Sequence, residues 1–92
     1  MPKTDNNASN QCRVCGFEYV DFFPWGLDGK TPSFEICDCC GIEFGYEDAT
    51  LEAIKQARAL WIEKGAPWAQ PQLRPTTWTL ESALAKIPSE YQ

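Results

Sequence analysis

The chain of 92 residues contains no histidine. That absence excludes an imidazole base, a Ser-His-Asp or Cys-His pair, and any metal site with imidazole ligands. Cations are scarce as well: eight Lys and Arg stand against 13 Asp and Glu, for a net charge of −5. So acidic a chain is poorly suited to neutralising phosphates, and direct nucleic-acid binding is not expected. A basic partner is compatible with it. No apolar run approaches the roughly 18 residues that a membrane helix needs. Met1 to Gln11 is polar and lacks the apolar stretch of a secretory signal, so a cytoplasmic, reducing location is expected.

What the sequence does hold is cysteine and aromatic bulk: five Cys, four Trp, five Phe and three Tyr. A chain this short buries only about 60–65% of its unfolded surface, so a core alone is marginal and a further restraint is expected. In a reducing compartment an odd set of five cysteines reads as a metal site rather than a disulfide framework.

The cysteines fall into two units, Cys12-Arg-Val-Cys15-Gly16 and Cys37-Asp-Cys-Cys40-Gly41, both C-x-x-C-G. Two Cys three positions apart put both sulfurs on one ion when the chain turns tightly between them. The following Gly relieves strain where that turn needs positive φ. Two such turns supply a tetrahedral site of four sulfurs from Cys12, Cys15, Cys37 and Cys40. The match of the two units makes Cys39 the spare thiol, read as a small buried filler. Four thiolates suit zinc first and iron as the alternative. Bound zinc would have no open position and would be structural; bound iron would make a rubredoxin-like one-electron carrier. Four thiolates and a divalent ion add −2, taking the chain from −5 to about −7. The carboxylates Glu35, Glu43, Glu47, Asp48 and Glu52 could pair for acid–base work, but read more simply as a solvated face or a helix N-terminal cluster. No enzyme activity is expected.

Residues 1–10 read as a disordered polar tail, and 11–92 as one domain. Alternation in Phe17–Val20 and Phe34–Cys37 predicts two strands, separated by a loop over Phe22–Pro32 with a turn at Asp28-Gly29. A helix is expected from near Asp48, capped by Asp48 or Thr50, to Lys64-Gly65. Its apolar stripe runs Leu51, Ile54, Ala57 or Arg58, and Trp61, widened by Leu60. Three prolines predict an extended segment over 66–77, laid across the domain by Trp68 and Leu73. A short helix, Thr79 to Ile87, is stopped by Pro88. The fold class expected is α+β: a small zinc-ribbon or rubredoxin-like knuckle domain. Its short antiparallel sheet would pack against one main helix, with a short helix at the C-terminus.

The stretch Phe34-Glu35-Ile36-Cys37, with the N-terminal C-x-x-C-G, Asp48, Ala57-Arg58 and Trp61 through Gly65, resembles the bacterial cysteine-rich CPCC type of small zinc-ribbon protein. Asp38 departs from that pattern, where the family has Pro. The resemblance covers about residues 11–87 and implies a metal-stabilised, non-catalytic module. It also implies a role as an immunity protein of a polymorphic-toxin or contact-dependent inhibition system. Such a protein would bind a basic toxin domain, a nuclease by preference.

From Glu35 to Glu52 there are six acids and no Lys or Arg, interleaved with Phe34, Phe44 and Tyr46. This mixture of charge and anchors suggests Glu43, Tyr46, Glu47 and Asp48 as partner-binding residues, with Asp21, Trp25 and Asp28 second. An adaptor of a larger cytosolic assembly shares all these features.

Overall fold

The structure, a computed structural model, describes residues 9–92. Most of the expected tail lies outside the described residues. Its last residue, Asn10, is tied down, since its carbonyl accepts from Tyr19 N at 2.8 Å and its side-chain amide donates to Tyr19 O at 2.7 Å.

Two C-x-x-C-G turns make up the N-terminal half, and they are built alike. In the first, Gly16 N donates to Cys12 O at 2.9 Å and Cys12 N to Phe17 O at 2.9 Å. In the second, Gly41 N donates to Cys37 O at 3.1 Å and Cys37 N to Ile42 O at 2.8 Å. The outer bonds also correspond, Tyr19 N to Asn10 O and Phe44 N to Glu35 O, so the pattern repeats after 25 residues (12 to 37, 16 to 41). Gly16 and Gly41 sit at φ +81° and +82°, a region closed to most side chains.

The expected α+β class is not what forms. Among the described residues there is no strand and no sheet, only the isolated antiparallel bridges Gln11–Glu18 and Ile36–Glu43. Each contact is a hairpin stub that the cysteine turn closes and that ends within a residue or two, too short to stand as a sheet. Phe34, the expected start of the second strand, lies at φ +61°, outside the extended region. In the first, Phe17 and Tyr19 do turn inward while Glu18 and Val20 face out. The alternation is real, but no further segment pairs with it.

Helix α1 spans Leu51–Glu63 and starts at Thr50, whose hydroxyl accepts from Ala53 N at 3.1 Å. Of its apolar stripe only Ile54 and Trp61 are buried; Ala57 and Arg58 are half-buried, and Leu51 and Leu60 are exposed. Gly65 at φ +95° ends the helix, and Trp61 Nε1 donates to Pro67 O at 2.8 Å, turning the chain back. In the proline segment Trp68 is buried as expected, but Leu73 is exposed and sits in a single 3₁₀ turn, Pro71–Leu73. Helix α2, Leu80–Ala85, is capped by Thr79 and is shorter than its pattern predicts. A last 3₁₀ turn covers Ser89–Tyr91.

The core is sulfur and aromatic. Cys12, Cys15, Cys37 and Cys39 are buried together with Val14, Ile42, Phe44, Ile54, Trp61 and Trp68. A chain of edge-to-face rings surrounds them: Tyr19–Phe17 at 4.8 Å, Phe17–Trp68 at 5.4 Å and Trp68–Trp78 at 5.6 Å. Among the described residues no helix is long and apolar enough to cross a membrane.

Candidate metal centre

The two cysteine turns face each other. Cys12 Sγ lies 3.6 Å from Cys40 Sγ, and Cys15 Sγ lies 3.7 Å from Cys37 Sγ. All four sulfurs are within 4.8 Å of one another. A tetrahedron with metal–sulfur bonds of about 2.3 Å has edges of about 3.8 Å, so this spacing is that of four ligands around one ion. All five cysteines are free thiols, and the set of four can hold a metal. Cys39 stays outside it, fully buried, its own N–H directed at Cys37 Sγ at 3.4 Å.

The four thiols are not equivalent toward proton loss. Burial pushes the Cys12 thiol up, and contact with the Cys12 sulfur, followed by that with Cys15, does the same to Cys40. Cys37 moves the other way, because the thiols of Cys12, Cys15 and Cys40 hydrogen-bond to its sulfur and favour the thiolate. A dication would displace the remaining protons. Among the described residues one buried polar group has no partner, the indole N–H of Trp68, packed among the cysteines and aromatics.

Outside the ligands the structure adds a residue that spacing alone marks only as part of a helix stripe. Arg58 reaches from α1 to the backbone of the first cysteine turn. Its Nε donates to Val14 O at 2.7 Å, and its Nη2 donates to Arg13 O at 2.9 Å and Tyr91 O at 2.6 Å. Burial lowers its pKa, while the nearby sulfurs of Cys12, Cys15 and Cys40 act in the opposite sense. The guanidinium is therefore a fixed positive charge beside a site whose metal-loaded form is negative. The signal for it in sequence is weak: an Arg on the inward side of an amphipathic helix. Arg13 is held in turn, its guanidinium 4.1 Å above Trp25 and 4.8 Å from the Tyr91 ring, with Nη2 donating to Gly29 O at 3.2 Å.

The residues expected to bind a partner are scattered in role. Asp48 is fully buried, accepting from Trp25 Nε1 at 2.8 Å and Gly45 N at 2.6 Å, so it braces the loop and is not a contact surface. Trp25 is half-buried between Asp48 and Arg13. Asp28 is exposed and organises the turn, accepting from Lys30 N, Thr31 N and Thr31 Oγ1. The Lys30 amide is the main cause that holds its carboxyl below the usual range. Glu47 accepts from the half-buried Glu43's N–H at 2.9 Å. Tyr46, Glu47 and Asp21 are exposed, Tyr46 at 74%.

No family model matches the chain, and no solved structure matches it. Among curated proteins it is similar to two from Bacillus subtilis (strain 168). It is 33% identical to "Uncharacterized protein YozI" over 66% of this chain and 63% of that protein. It is 32% identical to "Uncharacterized protein YoaQ" over 66% of this chain and 64% of that protein. The chain thus spans just under two thirds of the length of either relative. Neither name carries a function, so the immunity role implied by the resemblance draws no support from them.

Proposed function

We propose that this chain is a non-catalytic protein-binding module whose fold is held by zinc on Cys12, Cys15, Cys37 and Cys40. The observation that carries it is the closed set of four sulfurs, three of them fully buried, at the spacing of a tetrahedral tetrathiolate. Zinc on four thiolates keeps no position open for water or substrate, so its contribution is folding free energy, on the order of 10 kcal/mol. Iron on the same ligands would serve electron transfer. The donor set leaves that choice to measurement. Purified chain should carry one zinc by elemental analysis and be colourless; a red preparation bleached by dithionite would replace this reading with the electron carrier.

The partner within this proposal is a basic protein domain, and neutralisation of a toxin is its most specific form. Its support is the excess of 13 acids over eight bases and the exposed aromatic and apolar side chains among those acids, Phe34 and Tyr46 included. An adaptor in a larger assembly would use the same features. Pull-down from native cells with mass spectrometry separates them. A basic toxin-domain protein supports neutralisation, and a metabolic or transcription complex replaces it with the adaptor reading.

A further inference from the structure

One hollow is lined from both hairpin stubs and lies next to the second cysteine turn. Tyr19, Phe22, Glu35, Ile36 and Asp38 line this shallow hollow of about 330 Å³. Its floor is rigid. The Tyr19 ring packs edge-on against Phe17, Phe22 and Phe44, and its hydroxyl accepts from Asp38 N at 3.1 Å. Ile36 in the lining is 54% exposed; of residues close in sequence to the lining, Val20, next to Tyr19, reaches 90% and Phe34 reaches 60%. Exposed apolar side chains gathered on the short stretches of chain that line one hollow mark an interaction surface.

The charged groups in its lining have one sign, and the exposed Asp21 stands next to Phe22 in the chain. Glu35 and Asp38 line the hollow itself. We infer that this hollow docks a basic polypeptide segment, an apolar side chain seated on Tyr19, Phe22 and Ile36 and Lys or Arg meeting Glu35 and Asp38. This rests on the protein-binding reading and moves its centre from Glu43–Asp48, where Asp48 is buried, to residues 19–22 and 34–38. The apolar anchor supplies affinity; the acids supply approach rate and the choice of a cationic partner.

The test is an amide chemical-shift titration of the metal-loaded full chain with a short synthetic peptide alternating Lys and Leu, against its Glu and Leu counterpart. Shifts should concentrate at 19–22 and 34–38, weaken with salt, and be absent with the acidic peptide. Ile36→Lys and the double change Asp21→Lys, Glu35→Lys should each weaken binding about tenfold. Shifts confined to 43–52 overturn the hollow but leave a protein-binding module standing. No shifts, or equal shifts with both peptides, overturn the basic partner as well. Self-association abolished by Ile36→Lys would make a second copy the occupant and overturn the inference.

Discussion

Replacing Arg58 tests whether the helical half of the chain holds the metal site or merely adjoins it. Arg58→Ala removes three hydrogen bonds from a charged donor, to Arg13 O, Val14 O and Tyr91 O. Bonds of this kind contribute about 1.5 kcal/mol each at the low end, about 4.5 for three. The side chain is only half-buried, so water replaces part of this, and about 3 kcal/mol is a reasonable net loss. Where folding and metal uptake are one event, that loss appears as about 100-fold weaker zinc retention. Arg58→Lys keeps the charge near the thiolates but cannot span three carbonyls, and should fall about tenfold short of the native chain. Zinc competition against a chromophoric chelator at fixed pH measures all three proteins. If Arg58→Lys equals the native chain, charge alone matters and the carbonyl clamp is irrelevant. If Arg58→Ala stays within threefold, the coupling argued here is wrong.

Cys12→Ser or Cys37→Ser should abolish metal binding and leave the N-terminal half unfolded by circular dichroism, whereas Cys39→Ser should keep the metal at a cost of about 1 kcal/mol in thermal melts. Loss of the metal from Cys39→Ser would mean that the four ligands are wrongly chosen. Asp48→Ala strands the Trp25 indole and the Gly45 amide and should destabilise by about 2–4 kcal/mol, while Glu47→Lys stays within about 0.5 in urea titrations. The two turn glycines should differ. A Cβ at Gly16 would lie 2.5 Å from Ala83 O, whereas one at Gly41 meets only Ala69 Cβ at 3.5 Å. Gly16→Ala should therefore lose the holo fold while Gly41→Ala costs about 1–2 kcal/mol by chelator competition, from positive φ alone. Zinc affinity should rise with pH, because burial raises the Cys12 thiol and the ion must displace its proton; affinity unchanged between pH 6 and 8 would contradict that assignment.

The cluster of four cysteines was the most legible part of the chain, because C-x-x-C-G is a local unit whose backbone geometry is fixed within five positions. Helix α1 was legible for the same reason, with its cap at Thr50 and its stop at Gly65. The sheet was misread because alternation reports which side of a segment is buried, not whether a neighbour pairs with it. Phe17 and Tyr19 alternate inward against other aromatics. The left-handed Phe34 carries no mark in its side chain, since nothing about Phe prefers that region. Asp48 was misplaced for a related reason. An acid beside a helix start reads as a cap or a surface charge, and only the long loop returning Trp25 to it makes it a buried acceptor.

The repeated turns also explain why the chain needs its C-terminal half. Both turns are closed by the same backbone bonds, yet different partners hold them from outside. The first is gripped by side chains and helices: Arg58 on its carbonyls, Gln11 Nε2 donating to Lys86 O at 2.9 Å, and α2 pressed against Gly16. Backbone from the proline segment meets the second, with Ala69 N donating to Cys39 O and Gln70 N to Asp38 O, each at 2.9 Å, and the Tyr19 hydroxyl accepts from Asp38 N at 3.1 Å. That segment can donate there because its prolines, Pro67, Pro71 and Pro75, fall on either side of Ala69 and Gln70 and leave those two amides free. The second turn also carries Cys40, the one half-buried member of the cluster, which lines a groove shared with Leu60, Trp61 and Trp68. Metal exchange should therefore proceed through the second turn, with the first remaining as the fixed half of the site.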